Sequence, residues 1–219
     1  MSACCSTFGD TAGAHFDERR ARRDLENYRR HGPGPTTRLL RDLLADAKAI
    51  NGSLLDIGSG IGALTFELLD RGVDRAIAVD ASGAFLAAAA QEAARRDRGR
   101  VVEFLQADFV DVASGTPAAT IVTLDRVICC YPDMPALVAA AADKAQRVFG
   151  AVYPPNTWWM RITVRCLNWF LGLRQSNFRV FVHPTDAIEA VLREHGLVRA
   201  THKRTLVWEI ATFTRSRPV

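Results

Sequence analysis

The stretch "LLDIGSGIGALTFEL" places a carboxylate, Asp56, two residues before the first of three alternate glycines, Gly58, Gly60 and Gly62. Glycine lets a chain turn tightly and lets a ligand approach the backbone without a Cβ in the way. A helix starting after such a turn offers unpaired N–H groups to an anion. Two further acids stand at similar strand ends, Asp80 closing "RAIAVD" and Asp108 closing "RVVEFLQAD". A carboxylate before the glycines can hold an ammonium. One eighteen residues after Gly62 can accept both hydroxyls of a ribose, and a third can accept from an adenine amino group.

Gly58, Gly60 and Ala63 also satisfy the dinucleotide pattern G-x-G-x-x-A, so the turn by itself is weak evidence. Asp56 separates the readings, because a dinucleotide-binding strand is normally apolar there. Ammonium, ribose diol and adenine amine together describe S-adenosylmethionine better than a nicotinamide dinucleotide. With "DIGSGIG", "AVD" and "QAD" in this order, the chain resembles the class I S-adenosylmethionine-dependent methyltransferases. The resemblance implies an α/β, Rossmann-like seven-stranded sheet of order 3-2-1-4-5-7-6, with strand 7 antiparallel and helices on both faces. It also implies a cofactor site made by Asp56, Gly58, Ser59, Gly60, Gly62, Asp80, Ala81, Asp108 and Phe109. Backbone around Gly58–Gly60 would take the methionine carboxylate, and Ala81 and Phe109 would flank the adenine.

A second constellation follows the fourth strand, in "VTLDRVICCYPD". This segment, the arm "HFDERRARRDL" and the tract "AVYPPNTWWMRITVRCLNWFLGLRQSNFRVFVHP" make the chain similar to the magnesium-protoporphyrin O-methyltransferase-like group. That group carries a mobile N-terminal arm over the pocket, with proton-handling residues on the arm and after strand 4. Here Cys129 and Cys130 stand where His or Tyr would be expected, and Tyr131 follows one step later. The tetrapyrrole substrate is therefore not carried over. A carboxylate acceptor needs no base, whereas a hydroxyl or amine must lose a proton. Tyr131, His15, Tyr28 and Cys130 are the candidate catalytic residues. Adjacent strand residues face opposite sides, so one thiol of the pair is expected in the core and one toward the ligand. Cys166 is expected in the core of the Trp-rich helix.

The expected function is methyl transfer to a small-molecule acceptor, with O-methylation of a carboxylate or hydroxyl favoured. Other uses of S-adenosylmethionine, such as closing its aminobutyrate chain with loss of methylthioadenosine, and a non-catalytic binding role remain alternatives. No Asn/Asp-Pro-Pro-aromatic motif follows strand 4, which argues against amino-directed nucleic-acid methylation. No zinc-type cysteine spacing occurs, and no metal is expected, although Cys4 and Cys5 on a closing arm could join Cys129 and Cys130 as a soft-metal site.

The elements that must position these residues alternate strand and helix, which argues a parallel sheet covered on both faces. "FDERRARRDLENYRRHG" reads as a helix, and the breaker "GPGP" closes a unit of residues 1–35, an arm over the active site. Residues 36–219 form the methyltransferase domain. It starts with "TRLLRDLLADAKAI", a helix that Thr36 or Thr37 could cap. The fourth strand is expected to run through "ATIVTLDRVICC", and the helix after it through "MPALVAAAADKAQRVF". "GAVYPP" is the fifth strand, "FRVFVH" looks strand-like, and "LVRATHKR" with "TLVWEIATFTR" closes the sheet as a hairpin.

Composition fits this reading. The chain has 219 residues with 48% hydrophobic and 24% charged content, ordinary values for one globular domain. Five cysteines, two pairs of them adjacent, do not make a disulfide framework. No window reaches a membrane span, because Arg161 and Arg165 interrupt the most apolar tract. A cytoplasmic, biosynthetic enzyme is expected, with no nucleic-acid or membrane partner. Net charge is +4, and Asn156 to Arg204 alone carries eight basic against three acidic residues, which could favour an anionic substrate.

Overall fold

The computed structural model describes residues 16–46, 50–174 and 176–216. Its centre is a seven-stranded sheet of order β3-β2-β1-β4-β5-β7-β6. The strands are β1 (Ser53–Ile57), β2 (Arg75–Asp80), β3 (Val102–Gln106), β4 (Ala119–Asp125), β5 (Ala145–Tyr153), β6 (Leu197–Arg204) and β7 (Glu209–Arg215). Strands β1 to β5 run parallel and β7 lies antiparallel between β5 and β6. The helices are α1 (Glu18–His31), α2 (Pro35–Asp46), α3 (Ala63–Leu69), α4 (Gly83–Arg95), α5 (Phe109–Val112), α6 (Met134–Lys144), α7 (Trp158–Leu173) and α8 (Thr185–Glu194).

Both faces of the sheet are covered, so its central strands are almost continuously apolar, as a doubly covered parallel sheet requires. Successive residues supply opposite cores. Leu55, Ile57, Val122, Leu124 and Phe149 pack with α6 and α8, while Leu54, Ile121, Val148 and Val152 pack with α1 to α4. Helix α1 enters that second core through Ala21, Leu25 and Tyr28. At about 1.5–3 kcal/mol for a buried large apolar side chain, these contacts fasten the arm helix to the body.

Four expectations at element boundaries change. Strand β4 stops at Asp125, because Arg126 takes a left-handed conformation (φ 63°). The following helix ends at Lys144 rather than continuing through Phe149. Residues 145–149 pair in the sheet instead, with Val148 and Phe149 feeding opposite cores. Helix α2 begins at Pro35, whose missing N–H suits a first helical position. Thr37 then lies inside the helix, its hydroxyl donating to Asp125 at 2.6 Å. The segment 178–183 joins no sheet. Its backbone is satisfied piecemeal, by Asn168 on α7 and by the Cys129 carbonyl.

One ionic cluster ties α1 to α4. Glu92 is fully buried and accepts from Arg29, Arg95 and Arg96 at 2.5–2.9 Å. Hydrogen bonds from Arg95, reinforced by Arg96 and Arg29 against the cost of burial, hold its carboxyl down at about 2. A depressed carboxylate contributes stability above its ordinary titration range, and that contribution is lost as pH falls from about 4.5 toward 2. Breaking a buried pair costs about 3–5 kcal/mol, less where the guanidiniums reach solvent as here. Glu92→Gln should therefore cost about 2 kcal/mol at pH 7, read by thermal melting, and should speed tryptic cleavage within α1. An unchanged melt would remove this anchor.

Candidate active site

The carboxyl ends of β1, β2 and β4 converge at the switch point between outward-running halves of the sheet, where such folds bind ligands. The Gly-rich turn after β1 sits there under tight constraint. Gly58 has φ 65°, and a Cβ on it would meet the Val127 side chain at 2.4 Å. The turn is fastened to β2. Gly58 and Ser59 N–H groups donate to the Val79 carbonyl, and Gly60 N–H donates to Asp80 Oδ2 at 2.8 Å. These amides are thus engaged within the protein, contrary to the expectation that they take the methionine carboxylate. The Ser59 hydroxyl is the group the turn leaves over. It is buried with no partner among the described residues.

Asp56 is only 1% exposed. Its register explains its partners. It lies opposite Thr123 on β4, whose hydroxyl donates to Oδ1 at 2.7 Å, and Thr65 on α3 donates to Oδ2 at 2.6 Å. No cation pairs with it among the described residues. Burial pushes its carboxyl up to about 6 against the two hydroxyl donors, and Asp125 and Asp80 push the same way. Asp80, also raised by burial, accepts from Gly60 and Ser82 amides.

Asp56 borders a cavity of about 260 Å³. Asp56, Gly58, Ser59, Gly60, Phe85, Asp125 and Arg126 line it from the body, and Asp24, Tyr28 and Gly34 from the arm. The arm is pinned on the adjoining side too: the Phe16 carbonyl accepts from the Ser82 hydroxyl at 2.7 Å, and the Phe16 ring packs edge-on against Phe85 and Phe178. Gly62 takes the left-handed conformation (φ 76°) that starts α3, and Ala81 is half-buried beside Asp80.

The other predicted residues are placed differently. Asp108 caps α5 and accepts from the Tyr131 hydroxyl, 3.0 Å from both carboxylate oxygens. Tyr131 is buried, so its phenol is a donor to Asp108 rather than a group facing an acceptor. Phe109 is buried in the core with Ile57 and Val79, which leaves its ring no face toward the adenine. Tyr28 is spent on packing: its hydroxyl donates to Glu67, accepts from Arg96, and is pushed above the usual phenol range chiefly by burial. His15, Cys4 and Cys5 lie outside the described residues.

The cysteines do not sit on a strand. Residues 128–130 form a short turn, so Cys129 and Cys130 point the same way, their sulfurs 3.8 Å apart and both near the Arg126 carbonyl. Cys130 has the lower pKa of the pair, because Cys129 donates to it and Arg126 and Arg20 lie near. Cys166 is exposed, not core. Sequence reasoning missed His183, which holds this turn: Nε2 lies 3.0 Å from the Tyr131 carbonyl, and the ring stacks on Phe181. Its His-Pro dipeptide was the visible signal. Asp125, Arg126 and Thr37 were missed with no motif to mark them.

Residues 54–149 match the family model described as a methyltransferase domain. That match and the sheet order together support a class I S-adenosylmethionine-dependent methyltransferase. No protein of curated function matches the sequence. Among solved structures, the magnesium protoporphyrin IX methyltransferase of Synechocystis PCC 6803 with bound S-adenosylhomocysteine is 21% identical, with TM-score 0.66, covering 83% of this chain and 81% of that one. The Burkholderia thailandensis 1,6-didemethyltoxoflavin-N1-methyltransferase, bound to 1,6-didemethyltoxoflavin and S-adenosylhomocysteine, is 14% identical with TM-score 0.68, covering 99% and 92%. At these identities the likeness is one of fold.

The enzyme's cofactor is accordingly S-adenosylmethionine, and the residues present fit it. A buried carboxylate without a cation, an orphaned buried hydroxyl and a cavity rimmed by three acids suit a ligand carrying an ammonium, a carboxylate and a sulfonium. A raised carboxyl binds its proton more tightly when folded, so Asp56 favours the fold at low pH and loses that advantage as pH rises from about 4 through 6. The cost at neutral pH is about 3 kcal/mol at most. Asp56→Asn should therefore melt no lower than the parent at pH 7.5 while binding S-adenosylmethionine at least about tenfold more weakly. A variant that melts lower and binds equally well would overturn both statements. Asp80→Ala should weaken binding about 100-fold through loss of two charge-assisted hydrogen bonds, measured by calorimetry.

Proposed function

We propose that the enzyme methylates a carboxylate oxygen of a small-molecule acceptor, with Asp56 holding the cofactor's ammonium, Ser59 its carboxylate, Asp80 its ribose and Asp108 its adenine amine. The observation that supports a carboxylate is the state of the candidate bases. The Tyr131 phenol donates to Asp108, the Tyr28 phenol is bound between Glu67 and Arg96, and His183 is held at the Tyr131 carbonyl. S-adenosylmethionine supplies an electrophilic methyl carbon, and a carboxylate oxygen attacking it in line expels a neutral thioether with no proton to move. Arg126 is the one cation among the described residues lining the cavity and is suited to orient the acceptor's negative charge. The basic excess between Asn156 and Arg204 would draw an anionic acceptor toward the same end of the sheet.

The protein's contribution to such a reaction is alignment and exclusion of water, which the packed arm provides. The test is a screen of small carboxylates and phenols with the full chain, identifying the nucleoside released. With a carboxylate acceptor, S-adenosylhomocysteine and a methyl ester should form, kcat should stay level from pH 6.5 to 9, and His15→Ala should retain activity. A rate that climbs about tenfold per pH unit and collapses in His15→Ala would replace the carboxylate by a hydroxyl or amine acceptor. Methylthioadenosine released without acceptor would replace methyl transfer altogether.

A further inference from the structure

Helix α7 has the composition of a core helix and the burial of a surface one. Of its sixteen residues only Met160 and Val164 are buried. Trp158, Trp169 and Leu173 are 74%, 68% and 63% exposed, and Ile162 and Phe170 are also exposed. At 100° per residue, Trp158, Ile162, Trp169 and Leu173 fall within one narrow stripe, opposite Met160, Val164 and Leu171. The protein-facing side is therefore already used, and the outward stripe is a separate apolar surface. Its mounting is firm: Asn168 exchanges two hydrogen bonds with Val180, at 2.7 and 2.9 Å.

Charge decides what covers this stripe. Residues 156–185 contain four arginines (161, 165, 174, 179) and no Asp or Glu. Arg161 and Arg165 are exposed and lie along one edge of the stripe, and Arg174 stacks on Phe170 at 4.5 Å beyond its end. Large aliphatic side chains, two exposed tryptophans and flanking arginines without acids are the makings of a helix that lies in a lipid interface. Tryptophan favours the headgroup level, and arginines at its edge reach anionic phosphates. A second copy of the same face would bring like charges together along those edges.

We propose that α7 seats the enzyme on an anionic lipid bilayer surface, lying along the interface without crossing it. No helix among the described residues is long and apolar enough to span, and Arg161 and Arg165, which interrupt a span, are the groups that complete an interfacial face. This departs from the expectation of no membrane partner, and it stands apart from the identity of the methyl acceptor.

The test is flotation of the full chain with vesicles of phosphatidylcholine alone or with 30% phosphatidylglycerol. The expected result is at least tenfold stronger binding to the anionic vesicles, reduced by 0.5 M salt, with a blue shift of tryptophan emission. The variant Trp158→Glu/Trp169→Glu/Leu173→Glu should lose binding, and Arg161→Glu/Arg165→Glu should lose at least tenfold while keeping its far-ultraviolet circular dichroism. Absence from anionic vesicles would overturn the proposal, as would binding that neither variant reduces. Concentration-dependent dimers in sedimentation, abolished by the apolar variant and accompanied by no vesicle binding, would also overturn it and assign the stripe to a second copy.

Discussion

An anion buried between two threonine hydroxyls, with no described cation beside it, is the constraint on which the site is organised. Asp56 lies on β1 inside the sheet, only 1% exposed and flanked along the strand by Leu55 and Ile57. Thr123 is its cross-strand partner and Thr65 reaches down from the first helix after the turn. Their two bonds lower the cost of burying the carboxylate but do not remove it, so its pKa stays raised. The rest of the arrangement follows from that residual cost. The glycine turn lies beside Asp56, Asp80 holds the turn through the Gly60 amide, and Asp24, Tyr28 and Gly34 wall the cavity from the arm. A buried carboxylate kept at such a cost is a pattern typical of functional sites.

The arm shows how a surface helix becomes part of the site. Its apolar residues enter the core, while Arg29 reaches the buried Glu92 and Tyr28 meets Arg96 and Glu67. These partners lie on α3 and α4, the two helices that follow the glycine turn and Asp80. The groups that clamp the arm and the groups that shape the cavity thus share a scaffold. Tyr28 lines the cavity as one wall of that clamp, not as a proton carrier.

What the sequence made legible was chemistry fixed by short-range geometry. A strand end followed by Gly-x-Gly-x-Gly, and acids ending the next two strands, each depend on a few adjacent residues, and the sheet order came with the resemblance they established. What it hid was set by partners far along the chain. Tyr28 and Tyr131 look alike as free phenols until Glu67, Arg96 and Asp108 are brought to them. The cysteine pair read as strand because nothing before it is glycine, yet Arg126 adopts the left-handed turn and both thiols swing to one side. The run from Ala145 to Phe149 suits helix or strand by composition, and pairing with β4 decides it. The Trp-rich helix was recognisable as a helix, but its exposure was not, because apolar content alone does not say which face finds a partner.

The central claim is that Asp56 meets the cofactor's ammonium as an anion, so proton exchange must accompany binding. Calorimetric titration of S-adenosylmethionine between pH 5 and 8, repeated in buffers of different ionisation enthalpy, reads that exchange directly. The account predicts affinity that rises with pH through about 6 and then levels toward pH 7, with a proton released near pH 5.5 and almost none at pH 7, below the range where the ligand's own α-amino group titrates. Affinity independent of pH, with the same heat in every buffer, would contradict it.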